Sequence, residues 1–198
     1  MAQTRPGGRT ANVRSAVLDA TADLLVESGL ERVELSAVAQ RAGVSKSTVY
    51  RRWGTVTALV ADLLVEMADT SSRRPATGSL AGDLLAIARL IQRTLADARQ
   101  GRLFAAIIAA ATCNRDTEEA LAAFYTKRID EFRGTVVDGI ARGEAPQGTD
   151  PDEVIRHLSA PLYYRMLTGN GAPKKQDAVR SADAVIAAVA AGVFVTRR

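Results

Sequence analysis

Cysteine and histidine are all but missing from this chain: Cys113 and His157 are the only ones in 198 residues. A lone cysteine excludes an intramolecular disulfide, and without paired histidines or cysteines a transition-metal site lacks its usual donors. Neither a metal nor a cofactor is expected. A hydrolase would need His157 beside Cys113 or a serine, and no motif frames any of them, so the chain is not read as an enzyme. No apolar run approaches the about 20 residues of a membrane-spanning helix, and no signal peptide is visible. The expectation is a soluble, cytoplasmic protein with no membrane partner. Alternating apolar and polar residues, the mark of a half-buried strand, are missing as well. The 47% hydrophobic content still suffices for one sizeable core, or a small one joined to a larger.

What the chain has instead is helical periodicity. Val13, Val17, Ala20 and Leu24 recur on one face between Thr10, the expected N-cap, and Gly29, the expected stop. Leu35, Val38 and Ala39 mark a short second helix ending at Gly43, and a third, capped by Ser45, turns Val49 and Trp53 inward. A fourth runs from about Thr55 to Asp69, after which SSRRPATG, from Ser71 to Gly78, breaks the pattern. Leu84, Ile87 and Leu95 give a fifth helix, and Phe104, Ile107, Ile108 and Ala111 a sixth. Asp116 with Glu119 reads as a capping box opening a long seventh helix to Gly143. Asp150, Pro151, Asp152 and Glu153 open the eighth, which continues to Gly169, and the ninth spans roughly Asp177 to Gly192. The expected fold is all-α with about nine helices. A flexible basic arm is expected over 1–9, a small helical domain over 10–70 and a larger one over 79–198.

Charge separates the two parts. Residues 1–58 hold eight Lys or Arg against five Asp or Glu, whereas the rest hold 18 against 17. The early cations fall into two clusters, Arg5, Arg9 and Arg14, then Arg41, Lys46, Arg51 and Arg52. Two separated positive patches on a small region are the footprint of a polyanion binder. The second cluster lies in AGVSKSTVYRRW, residues 42–53, which matches a helix-turn-helix design: two short helices about Gly43, the second with hydroxyls and guanidinium groups on its outer face. On that face the Ser45 cap leaves backbone N–H groups directed outward, Lys46 meets a phosphate, Ser47, Thr48 and Arg51 face base edges, and Tyr50 offers its hydroxyl to a phosphate. The plainer alternative is a solvated helical hairpin whose charges only keep the surface soluble.

The pattern extends beyond that helix. The segment from Thr10 to Leu64, above all LSAVAQRAGVSKSTVYRRWGTVTALV, resembles the DNA-binding domain of the TetR family of transcriptional regulators, and AVAQRAGVSKSTVYRRW is similar to that family's signature almost residue for residue. LSAPLYYRMLTG, residues 158–169, resembles the penultimate helix in one branch of the family. The resemblance implies phosphate contacts by Lys46, Thr48 and Tyr50, base-edge contacts by Ser47 and Arg51, either role for Arg52, and packing for Trp53. The family commonly has Ser or Thr where this chain has Glu34, and a phosphate-gripping lysine where it has Val56. Thr55, Thr57 or the arm, through Arg9, are then left to supply the missing backbone contact.

One short reading helix contacts few base pairs, so a homodimer on a palindromic double-stranded operator is expected. The pairing surface is assigned to the last two helices, with Leu158, Leu162, Tyr163 and Met166 on one and Val185, Ala188 and Val189 on the other. Pro161 is expected to leave an unpaired carbonyl near His157 and to bend its helix. The resemblance also implies a pocket for a small apolar or aromatic effector within helices 5 to 8. Phe104, Ile108, Phe124, Tyr125, Arg128 and His157 are its candidate lining, with Cys113 and Phe132 considered beside them. The function expected is a repressor released by its effector. A DNA-binding regulator without a small-molecule effector, or an activator, is the alternative.

Overall fold

The computed structural model describes residues 6–69, 74–169 and 171–196, with side chains from Ala11 onward. Nine α-helices occur among the described residues, and no strand: α1 (Pro6–Ser28), α2 (Leu35–Arg41), α3 (Lys46–Arg52), α4 (Val56–Asp69), α5 (Leu80–Ala96), α6 (Ala98–Ala111), α7 (Arg115–Ala141), α8 (Pro151–Leu167) and α9 (Lys175–Ala190). The only β pairing among them is an isolated bridge between Thr149 and Val195. No helix is long and apolar enough to cross a membrane among the described residues.

Contacts gather the chain into two compact units, one from residues 1–70 with 103–124, the other from 71–102 with 125–198. The chain first passes from one unit to the other near residue 71, and residues 103–124 cluster with the first unit rather than the second. In the first unit α1 packs on α2 and α4, and α2 on α3. Val17, Leu25, Val38, Val49, Leu59 and Leu64 are fully buried there, each worth about 1.5–3 kcal/mol relative to an exposed position. The second unit packs α5, α8 and α9 together around Leu84, Ile87, Val154, Leu158, Ala182 and Val185, with Phe132 and Val136 of α7 joining the same core.

Several helix starts differ from the sequence expectation, each for a local reason. Helix α1 begins at Pro6, a turn before Thr10; of the expected arm, residues 1–5 lie outside the described residues, as does the Arg9 side chain. Helix α6 begins at Ala98 because the Asp97 carboxylate accepts from the N–H groups of Arg99 and Gln100 at 3.0 and 2.8 Å. The corner before it is tight enough that a Cβ on Gly101 would collide with the Leu95 carbonyl. Helix α7 is capped by Asn114, which accepts from the Thr117 N–H at 2.9 Å, so Asp116 and Glu119 do not form the expected box. Helix α9 starts at Lys175, with Asp177 in its first turn accepting from the Lys174 N–H at 2.7 Å. Helix α8 opens as expected, Asp150 accepting from Asp152 and Glu153 and Pro151 standing at the first helical position. Beside Pro161, Ser181 of α9 donates to the Leu158 carbonyl at 2.6 Å, one residue after the carbonyl that the proline deprives of its partner.

Candidate nucleic-acid interface

The turn between α2 and α3 follows from its backbone hydrogen bonds. Gly43 donates to the Gln40 carbonyl at 3.2 Å and Val44 to that of Ala39 at 3.0 Å, a Schellman ending that requires the left-handed φ of +66° seen at Gly43. The chain then extends at Ser45, whose Oγ accepts from the Thr48 N–H at 3.3 Å and lies 2.7 Å from the Thr48 hydroxyl and 3.1 Å from that of Ser47. That cap starts α3, and Val49, fully buried, fastens it to the unit.

Rotation by about 100° per residue fixes the remaining directions on a helix only about 10 Å long. Taking Val49 as inward, Ser47 and Arg51 lie about 160° to either side, Thr48 and Tyr50 about 100°, and Lys46 and Arg52 about 60°. Burial agrees: Lys46, Ser47, Tyr50, Arg51 and Arg52 are exposed, Thr48 is intermediate, and Tyr50 is 52% exposed. Ser47 and Arg51 thus form the outermost line, one turn apart, where a groove would be met first. No acid stands in the first turn of α3, and Arg51 and Arg52 occupy its last turn.

Charge commitment distinguishes these cations from their neighbours. Arg41 is paired with Glu27 at 2.5 Å. Arg14, grouped by sequence with the basic arm, is instead held by Asp62 at 2.7 Å and by Glu66, which removes it from the free positive patch. Lys46 and Arg51 make no ion pair or side-chain hydrogen bond among the described residues. Arg52 lies over the Trp53 ring, its Cζ 4.9 Å from the centroid.

A polar network beneath α3 escaped sequence reasoning. The Trp53 indole N–H donates to Asp62 Oδ2 at 2.9 Å, and Arg14 grips the same carboxylate from α1 through Nε and Nη2. Burial opposes the Asp62 charge, but the hydrogen bonds from Arg14 and Trp53 outweigh it and hold the carboxyl below its ordinary range. Further along, Thr55 accepts from the Ala58 N–H at 3.1 Å and so caps α4, while remaining exposed. Val56 is half-buried at the first position of α4. Glu34 makes no side-chain cap for α2 and accepts instead from the Ser36 hydroxyl at 3.0 Å.

Residues 17–63, which include α2, α3 and the turn between them, match the description "Bacterial regulatory proteins, tetR family", and residues 74–185 match "Tetracyclin repressor-like, C-terminal domain". The chain belongs to the TetR family of transcriptional regulators. An HTH-type transcriptional regulator of Bacillus subtilis, YdeS, itself uncharacterized, is 30% identical over 168 residues, 84% of each chain. The TetR-family regulator SCO0332 has a similar structure, with a TM-score of 0.71 and 25% identity over 89% of this chain and 98% of its own. The SmeT–triclosan complex shares the fold at a TM-score of 0.69 and 22% identity, covering 94% of this chain and 96% of that one.

The other expected sites of this TetR-family chain divide between its two units. In the first, Phe104 and Phe124 are buried with ring centroids 5.6 Å apart, and Ile108 is half-buried. Cys113 is exposed. In the second, Tyr125 meets Tyr163 edge to face at 5.6 Å, and Arg128 lies over Phe132 at 4.6 Å while pairing with Glu131 at 2.5 Å. Burial raises the hydroxyl pKa values of both tyrosines and lowers that of Arg128. His157 is exposed, its Nδ1 2.9 Å from the Glu153 carbonyl and its ring against Phe194, so it does not face an interior cavity.

The pairing surface needs correction. Leu158 and Leu162 are 0% exposed, Val185 4% and Val189 2%, and Leu158, Val185 and Val189 belong to the core of their own unit. Tyr163, Met166 and Ala188 are half-buried. The outward stripes are Ala160, Pro161, Tyr164 and Leu167 on α8 and Ala184 and Ala187 on α9, with Ala191 just past its end. Tyr164 is 68% exposed, and an open groove between the two helices is lined by Pro161, Tyr164, Arg165, Arg180 and Ala184.

Proposed function

We propose that this regulator is a homodimeric repressor that reads a palindromic operator with α3 and leaves it when a small aromatic effector binds. The observation that carries the DNA reading is the outer line of α3: a capped helix presents Ser47 and Arg51 outward, with Lys46 and Arg51 bound to no acid among the described residues. Arginine on this line suits bidentate contact to guanine in a major groove, while Lys46, Thr48 and Tyr50 flank it at the height of the phosphates. Ser45 adds the outward N–H groups of its cap, and Arg52, Thr55 and Arg9 extend the phosphate contacts. Repression needs nothing beyond occupying a promoter, and the protein would do so in the cytoplasm.

Two reading helices in a symmetric dimer, about 34 Å apart or somewhat further, would meet successive major grooves. The exposed stripes of α8 and α9 support that pairing, because their small residues let helices approach closely and their apolar surface would otherwise face water. For the effector, the supporting features within the second unit are Tyr125 against Tyr163 and Arg128 over Phe132, together with the triclosan complex of SmeT, a protein of the same fold. A regulator without a small-molecule effector is the second reading. It is favoured by a polar cluster in the second unit, where Arg128 and Glu131 neutralise each other and Tyr125 and Tyr163 share a hydrogen bond.

Thermal-shift screening of aromatic compounds separates the two readings. An effector preferring the native protein raises the melting temperature with concentration by mass action and should lower operator affinity in parallel. A compound that stabilises without weakening operator binding contradicts effector release.

A further inference from the structure

Helix α3 has seven residues and one fully buried side chain, Val49. A helix of two turns pinned at its middle can still pivot. Its N-terminal end is tied to α2 by the Val44 N–H on the Ala39 carbonyl. The corresponding tie at the C-terminal end is Trp53, half-buried, whose indole N–H reaches Asp62 on α4 at 2.9 Å. Asp62 is itself immobilised from α1, accepting from Arg14 Nε at 3.1 Å and from Nη2 at 2.7 Å, and Arg14 turns its remaining amino group to Glu66, one turn further along α4. One carboxylate thus ties α1, α4 and the end of α3, and the Arg52 guanidinium rests on the Trp53 ring at 4.9 Å.

We infer that Asp62 is a positioning residue for DNA specificity: by holding Trp53 it sets the angle of α3, and so the reach of Arg51 and Arg52, without touching DNA itself. The inference rests on α3 being the reading helix. Base contacts depend on angle and distance far more steeply than phosphate contacts do, because a bidentate hydrogen bond fails with small displacement whereas a long-range charge does not. Loosening this tie should therefore erode discrimination between sequences while leaving general DNA affinity nearly intact. A residue that only stabilised the domain would change both together, in proportion to the fraction unfolded.

The test compares Asp62→Ala, Asp62→Asn and Trp53→Phe with Arg51→Ala as the control for the reading helix. Affinities are measured for the operator selected by the parent protein and for random duplex, at one salt concentration and well below each variant's melting temperature. Asp62→Ala and Trp53→Phe should each reduce the operator-to-random ratio by about tenfold, with random-duplex affinity within about twofold of the parent. Asp62→Asn should recover part of the loss, since its amide oxygen still accepts the indole N–H. Trp53 is the chain's single tryptophan, so its emission reports the tie directly and should shift to the red in Asp62→Ala. Folded Asp62→Ala and Trp53→Phe proteins with the parent ratio, or equal losses on both duplexes, overturn the inference while a collapsed ratio in Arg51→Ala leaves the reading helix standing. An unchanged ratio in Arg51→Ala overturns that reading itself.

Discussion

Replacing Arg51 or Lys46 with alanine probes two different parts of one helix. Arg51 lies on the outermost line of α3, about 160° from the buried Val49, and a good bidentate arginine–guanine contact discriminates by about 1–3 kcal/mol. A dimer applies two such contacts, so Arg51→Ala should cost at least about 2 kcal/mol on the operator, roughly 30-fold in affinity, and far less on random DNA. Lys46, the first residue of α3, lies only about 60° from the inward direction, and its proposed partner is a phosphate. Its loss should weaken every duplex equally and lower the slope of log affinity against log salt by about 0.9 for each bound head, or about 1.8 for a dimer. Fluorescence anisotropy on operator and random duplexes between about 50 and 200 mM salt reads both quantities. Equal losses on the two duplexes for both variants, with the same change of slope, would refute this division of labour.

Three further outcomes follow from the same geometry. Gly43→Ala meets no atom within 4 Å of the added Cβ, so its whole cost is the left-handed backbone, about 1–2 kcal/mol or a fall of about 2–8 °C in melting temperature; a shift within error would place the strain elsewhere. The Asp62 carboxyl sits below its ordinary 3.8, so its contribution to stability is complete at neutral pH and is lost as pH falls through 3.8 toward the depressed folded value. Urea midpoints from pH 5 to 3 should therefore fall less steeply for Asp62→Asn than for the parent, and parallel slopes would contradict the coupling. Ala187→Glu places a charge on the outward stripe of α9 and should yield a monomer by light scattering with operator binding lost; a persisting dimer would rule that stripe out as the pairing surface.

Helix α3 was legible because everything that builds it is local. Gly43, the Ser45 cap and inward Val49 lie within seven positions of one another, so their spacing alone defines the turn and the outward face. Arg14 and Asp62 lie 48 positions apart, and no local pattern distinguishes an arginine destined for α4 from one reserved for DNA. Helix α9 failed for a different reason: with alanine or valine on nearly every face, its periodicity does not say which stripe is the core, and Val185 and Val189 went inward while Ala184 and Ala187 stayed out. On α8, Leu158 is buried in the core that this helix shares with α5 and α9 of the same chain, and Leu162 is fully buried as well. The cap at Asn114 was hidden because Asp116 and Glu119 imitate a capping box two residues too late.

Selection of bound sequences from random duplex DNA by the purified protein measures the central claim most directly. An inverted repeat is expected, its half-sites about one helical turn apart or somewhat further, and Arg51→Ala should relax the preference at one position in each half. Failure to enrich any sequence at moderate salt, or enrichment that Arg51→Ala leaves untouched, would contradict α3 as the element that reads DNA.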